Sequence, residues 1–309
     1  MNFSIIVSNL TVIFIMIAVG FAAGRAKVVG ESAQGDFTSF LMNVTLPCTI
    51  LSSMLRPYDP ALIRDSFIIF IMGLIVFGGG LLLYLPVSRL FGVAQERRNV
   101  WTLSAVLCNI GFMGFPLVKA IFGDDGLFLA SIMNLAYNCI AWSLGIRVIC
   151  MNGDDQGKIP WKKILLTNNN YAVVIGLFFF LSQLSLPETV VTVVQSFGGI
   201  TTPLSMFLIG LTLSGGSLSE VFRDRDVWTA STIRLIVSPL VIIALLKLLP
   251  LPEGSVLGGV VALIMAMPCP SVSLILAQQY DQDVELAAGA IFLSSLCCIG
   301  TIPVIMMLL

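Results

Sequence analysis

The apolar residues of this 309-residue chain form long runs separated by short polar stretches. A helix that crosses about 30 Å of hydrocarbon needs about 20 mainly apolar residues, because each residue adds about 1.5 Å along its axis. The pattern therefore predicts an all-α integral membrane protein with ten transmembrane helices. The predicted segments are 4–23, 37–55, 66–88, 99–119, 126–147, 169–186, 189–213, 227–249, 254–277 and 286–308.

The longest polar interruption, MNGDDQGKIPWKK, begins at Met151 and ends at Lys163, with five predicted helices on either side. This position predicts a first five-helix repeat over 1–150, a short cytoplasmic linker over 151–168 and a second repeat over 169–309.

Prolines recur in the two halves of the chain, separated by nearly the same number of positions. Pro47 and Pro203 are 156 positions apart, and Pro116 precedes Pro268 and Pro270 by 152 and 154 positions. Because each unit holds an odd number of helices, the second copy is expected to enter the membrane inverted. Inverted repeats are typical of secondary transporters.

Composition narrows the class of protein further. Charged residues make up 11% of the chain, about half of what a soluble domain carries, and the mean hydropathy is +1.00. The net charge of −1 gives no support for a nucleic-acid partner. The chain has no histidine, and its seven cysteines lie mostly in apolar runs, so we expect no metal, no cofactor and no catalytic residue.

Lysine and arginine predict the orientation. With the N-terminus outside, eleven of these 16 residues fall in inside loops and four in outside loops, while Arg234 lies within a helix. Positive residues accumulate on the cytoplasmic side. We therefore expect both termini outside and the central loop in the cytoplasm.

The fourth and ninth segments carry helix-breaking residues at corresponding positions. Gly111, Gly114 and Pro116 predict unwinding in the fourth, and Pro268 and Pro270 predict it in the ninth. Broken helices are tolerated at membrane depth only where they face protein or a water-filled cavity. A single proline would equally suit a simple kink, but the symmetric pair predicts a binding site where half-helix N-termini attract an anion.

Neutral amides and hydroxyls accompany these breaks. Asn109 lies two turns before Pro116, and two asparagines of the fifth segment are one turn apart, so they share a face. The alternative role for such amides is hydrogen bonding between helices. The predicted substrate contacts are Asn43, Asn109, Asn134, Asn138 and Ser271, together with the two breaks.

The charged residues bear on coupling. All 17 acidic residues fall in loops or at predicted helix ends, so no carboxylate is expected at mid-membrane, where proton-coupled carriers often place one. A coupling ion could still be a proton or sodium, with sodium held by neutral oxygens. Arg234, about 10 Å into the eighth segment, is expected to extend its side chain to the headgroups.

Several sequence blocks resemble the auxin efflux carrier family of membrane transporters, and the resemblance extends over the whole chain. The blocks are NVTLP at 43–47, NIGFMGFPLVKAIFG from Asn109 to Gly123, NCIAW from Asn138 to Trp142, TTPLSMFLIGLTLS from Thr201 to Ser214, and AMPCPSVSLILAQQYDQDVELAAGAIFLSSL near the C-terminus.

The resemblance implies ten helices in two inverted repeats, with helices four and nine crossing. It also implies transport of organic anions, which are auxin in plants and malate- or malonate-like carboxylates in bacteria. The short central loop is similar to that of bacterial members, which implies the bacterial cytoplasmic membrane. Asn109 and Asn138 match the family's amide positions, and Pro116 with Pro268 or Pro270 matches its crossover.

We therefore expect a secondary transporter that moves a small organic anion by alternating access. A homodimer is a candidate oligomeric state. A channel or receptor is an alternative, whereas an intramembrane enzyme is disfavoured because the segments hold no acid pair or triad. A sodium-coupled symporter of the bile-acid type is the third alternative, with Asn109, Thr102 and Gln278 as candidate sodium ligands.

Overall fold

The computed structural model describes residues 3–151, 167–215, 221–249, 252 and 254–308, and all regular secondary structure in these ranges is helical. The predicted linker therefore lies almost entirely outside the described residues. The helices are α1 Phe3–Arg25, α2 Glu31–Phe40, α3 Leu46–Met54, α4 Pro60–Leu90, α5 Arg98–Val106, α6 Phe115–Ala141, α7 Leu144–Ile149, α8 Asn168–Ser182, α9 Glu188–Gly199, α10 Thr201–Gly215, α11 Arg225–Thr232, α12 Ser238–Leu248, α13 Val256–Met265, α14 Ser271–Gln279 and α15 Val284–Met306.

Six helical stretches of the described chain are long and apolar enough to cross a membrane. Large apolar side chains also point outward, as on α4, where Leu83 is 60% exposed. Such an apolar exterior suits lipid and not water. The prediction of an all-α integral membrane protein is confirmed at this level. The six stretches are Ser32–Met54, Pro60–Leu90, Arg98–Ile149, Glu188–Gly215, Arg225–Leu248 and Val284–Met306.

Proline shapes three of these stretches in the same way. A proline ring has no N–H for the carbonyl four residues earlier and also collides with it, so the preceding turn widens. In each case a five-residue π-helical turn ends two residues before a proline. The pairs are Leu41–Thr45 with Pro47, Ile110–Gly114 with Pro116, and Ile233–Val237 with Pro239.

The longest stretch, Arg98–Ile149, turns at a glycine. Gly123 interrupts α6 with φ 66° and ψ −154°, a conformation essentially restricted to glycine. The chain can therefore reverse between the fourth and fifth predicted segments without a long loop.

The helices pack in two groups. In the first, α1 and α2 pack against α10, and α3 packs against α8 and α9. In the second, α6 packs against α4 and α13, α5 packs against α4 and α11, and α15 packs against α11 and α14. The π turn at Ile110–Gly114 belongs to the second group and also contacts α10 of the first.

The first group contains a very close helix contact. A Cβ atom on Gly20 would lie 2.1 Å from the backbone oxygen of Phe207, and one on Gly210 would lie 2.1 Å from the oxygen of Ile17. Small residues permit such an approach between helices in lipid, where packing contributes more to association than apolar transfer.

An ion-pair junction joins three helix starts of the second group. Arg97 precedes α5 and bonds Asp224, Asp226 and Asp283 at 2.6, 2.7 and 2.6 Å. Asp224 caps α11 and Asp283 caps α15. Hydrogen bonding to Asp224 raises the pKa of Arg97 against the effect of burial. Burial would raise the pKa of Asp224, but the hydrogen bonds and charge of Arg97, together with the backbone N–H groups of Asp226 and Val227, lower it.

We expect Gly20→Ala to destabilise the protein by about 1–3 kcal/mol, because the new methyl group would collide with backbone that cannot rotate away. Gly79→Ala is the matched control, since nothing lies within 4 Å of that position in α4. The melting temperature in detergent would be measured for both variants. Equal melting temperatures would show that α1 and α10 do not touch as described.

Candidate functional site

Two helix breaks lie inside the second group. The first separates α5 from the π turn: Leu107 is extended, with ψ 153°, and Asn109 has φ −83° and ψ 75°. The second separates α13 from α14, which begins after an extended Pro270. These two non-helical segments, 107–109 and 266–270, are called the helix breaks below.

The first break begins upstream of the predicted position. Unwinding was expected at Gly111, Gly114 and Pro116, but both glycines lie in the π turn and Pro116 lies in the first turn of α6. The prediction was wrong in register because proline disturbs the turn before it, and that turn widens into the π turn instead of unwinding.

The helix breaks are joined by hydrogen bonds that satisfy backbone groups freed from helices. The Asn109 N–H donates to the carbonyl oxygen of Pro268 at 2.9 Å. The Cys269 N–H donates to Ser294 Oγ on α15, also at 2.9 Å. Pro268 and Pro270 have no N–H, so two of the five residues in the second break need no acceptor in a buried region.

Arg234 bonds both half-helices that lead into the breaks. Its Nη1 donates to the carbonyl of Val106, the last residue of α5, and its Nη2 donates to the carbonyl of Met265, the last residue of α13. Arg234 is 0% exposed. The expected extension to the headgroups is therefore wrong: the C-terminal ends of two helices offer carbonyls and partial negative charge much nearer.

A cavity of about 130 Å³ adjoins the first break and the start of α14. It lies between the two helix groups, and none of the described residues that line it is charged. The lining residues are Thr38 from α2; Asn109 and Phe112; Leu208, Ile209, Thr212 and Leu213 from α10; Ser271 from α14; and Ile291, Phe292 and Ser295 from α15.

Three polar side chains that line the cavity, Asn109, Ser271 and Ser295, have a donor available. Asn109 Oδ1 accepts the N–H of Phe112 at 3.1 Å, which fixes the amide and leaves its Nδ2 free to donate. The hydroxyls of Ser271 and Ser295 bond no other described side chain or backbone group. Pro270 gives α14 no side-chain cap, so the first N–H groups of that helix keep their positive field. Together these groups suit an anion or another acceptor-rich molecule.

The other predicted amides lie away from the cavity lining. Asn43 accepts a hydrogen bond from Asn168 at 2.9 Å, and Asn138 donates one to Asn170 at 3.0 Å. Asn134 is buried in α6. The Asn43–Asn168 bond joins the start of α8 to a neighbouring helical segment, and the Asn138–Asn170 bond joins it to α6 of the second group, which is the interhelical alternative considered for such amides. Their role in binding stays a prediction.

The candidate sodium ligands differ in their surroundings. Thr102 is fully buried in α5, and its hydroxyl has no partner among the described residues. Gln278 is exposed on α14. A role for either in ion binding stays a prediction.

Sequence reasoning missed the cavity wall contributed by the first helix group, Thr38 and Thr212. Thr212 falls within the TTPLSMFLIGLTLS block, but neither threonine was predicted as a contact, because their approach depends on how two distant segments pack. Arg234 did carry a signal, since it is a lone cation in an apolar run. Its partners are backbone carbonyls, which cannot be identified from the pattern of side chains.

Comparison with protein families gives an assignment. The model of a family described as membrane transport protein matches residues 5–159 and 155–306, nearly the whole chain. The chain belongs to this family. The membrane transport protein family is auxin efflux carrier-like, so the match confirms the resemblance described above. The chain is therefore a multi-pass membrane protein.

Relatives within the membrane transport protein family are named as transporters without a substrate. An uncharacterized transporter of Methanothermobacter thermautotrophicus is 26% identical over 293 residues, which are 94% of each chain. One of Methanocaldococcus jannaschii is 25% identical over 294 residues, 92% of each chain. The uncharacterized transporter YfdV of Escherichia coli is 23% identical over 155 residues, 49% of each chain.

We expect Arg234→Lys to lower the free energy of unfolding by about 1–3 kcal/mol, because one ammonium group cannot replace a planar fork that bonds two helices. Arg64→Lys is the control, since the side chain of Arg64 is 72% exposed. Thermal unfolding in detergent measures both. If the two variants melt alike, Arg234 is not held between the half-helices.

Proposed function

We propose that this protein is a secondary transporter that carries a small organic anion across the membrane by alternating access. The observation that carries the proposal is the cavity beside the joined helix breaks, where the described lining residues offer hydrogen-bond donors and none is charged. Neutral donors hold an anion less tightly than a fixed ion pair would, and a carrier must release what it binds.

The position of the cavity supports alternating access. Thr38 and the α10 residues come from the first helix group, whereas Asn109, Ser271 and Ser295 come from the second. A rocking or sliding of one group against the other would change which end of the cavity is open. A channel would need no such division, so the carrier is favoured over the channel or receptor.

We further propose ten membrane passes in two inverted five-helix repeats. Contacts between loops support this count. Arg97 meets Asp224 and Asp283, so three loops separated by even numbers of predicted passes share one face. Arg56 bonds Asp125 in the same way at the other face.

The orientation proposal places both termini outside and the central loop in the cytoplasm of a bacterial cell. In a variant without native cysteines, we expect a cysteine at Asp154 to react with an impermeant maleimide only after the membrane is opened. A cysteine at Asp59 should react in intact cells. The reverse pattern would invert the orientation.

Coupling to a proton or to sodium belongs to the same proposal. No described carboxylate lines the cavity, so a sodium ion would be held by neutral oxygens, as in the bile-acid-type alternative. The buried and unpartnered Thr102 hydroxyl is the observation that favours this second candidate. Uptake into proteoliposomes with and without a sodium gradient distinguishes a sodium-coupled carrier from one that does not use sodium.

Substrate binding at Asn109 can be tested with a variant that keeps its structural bond. We expect Asn109→Asp to keep the cap on Phe112 but to lose the Nδ2 donor and to repel an anion. Binding of acetate, malonate or malate should then weaken by about 1–3 kcal/mol. The measurements are saturable uptake into proteoliposomes and the shift of the melting temperature at saturating carboxylate.

Leu83→Ala serves as the control, because this side chain faces outward from α4. Both variants should unfold near the wild-type temperature without carboxylate. An unchanged response of Asn109→Asp would place the binding site elsewhere, and no uptake of any carboxylate by the wild type would refute the anion carrier.

A further inference from the structure

We infer that Arg234 is a positioning residue that makes the cavity selective for a group with one negative charge. The inference rests on the proposed function and deepens it. Arg234 does not line the cavity. Its positive charge cancels the negative C-terminal ends of α5 and α13, whose last carbonyls it bonds, and leaves the positive N-terminal ends of the π turn and of α14 uncompensated.

The charges at the helix breaks can be counted. A helix carries about half a positive charge at its N-terminus and half a negative charge at its C-terminus. The C-terminal ends of α5 and α13 both meet Arg234, so its full positive charge balances two halves of a negative charge. The starts of the π turn and of α14 each add half a positive charge beyond the breaks.

No acidic group offsets this sum within the described residues. Arg234 takes part in no ion pair there, and its remaining sulfur contact is with Met265 Sδ at 3.8 Å. The nearby side chains of Cys108 and Cys269 are fully buried thiols.

The residual charge therefore lies on the cavity side. Asn109 satisfies one N–H of the π turn with a neutral oxygen, and α14 has no side-chain cap. The sum of the half-charges there is about one positive charge, which a single carboxylate group would balance. Without Arg234, the C-terminal ends would cancel the N-terminal ends, and the preference for an anion would disappear.

Two pairs of variants separate charge from structure. Arg234→Lys keeps the charge but not the fork, whereas Arg234→Gln loses both. Cys108 is buried beside Arg234 in the first break. Cys108→Asp places a negative charge next to Arg234, and Cys108→Asn changes the shape equally without the charge.

The readout is the ratio of affinities for a carboxylate and for its neutral amide. Acetate, propionate and malonate would each be compared with the corresponding amide by thermal shift at several concentrations. We expect the wild type, Arg234→Lys and Cys108→Asn to prefer the carboxylate. In Arg234→Gln and Cys108→Asp the ratio should fall at least about tenfold.

A purely structural role for Arg234 would lower stability in both of its variants but leave the ratio unchanged, and equal ratios in Cys108→Asp and Cys108→Asn would overturn the inference. Either pair decides if the other does not fold. Failure of the proposed function would give a different result: the wild type itself would not distinguish carboxylates from amides.

Discussion

The arrangement of the helix breaks depends on one buried cation. A charge without solvent is costly unless hydrogen bonds and opposite charge surround it. Arg234 obtains both from the carbonyl ends of α5 and α13. The same bonds fix where those two helices stop relative to each other, so the break in one is held against the break in the other. The cavity exists because both helices end there.

The rest of the backbone follows from the need to satisfy each freed polar group inside a membrane. Pro268 contributes an acceptor to Asn109 and has no donor of its own. Ser294 supplies the acceptor for Cys269 from a neighbouring helix. The prolines that break these helices have no N–H group that would need an acceptor. Irregular backbone can therefore persist within the membrane.

Hydrophobic run length was sufficient to predict the helical membrane fold, because lipid imposes a minimum length on every crossing helix. The helix-breaking residues and the polar side chains beside them pointed to Asn109 and Ser271, which line one cavity. Sequence reasoning gave no information where partners are backbone atoms or distant helices. Arg234 was wrongly assigned to the headgroups, and the pairing of Asn43 and Asn138 with Asn168 and Asn170 was not predicted. Run length says nothing about which helix faces become neighbours.

The contact between Gly20 and the backbone of α10 limits how the molecule can move. Since no side chain separates the two helices there, axial sliding of α1 would bring bulkier neighbouring residues against backbone atoms that cannot yield. Helices α1 and α10 therefore form a rigid pair. In the proposed carrier, α1 and α10 would move together as one unit, and any displacement between the two helix groups would take place beside the cavity.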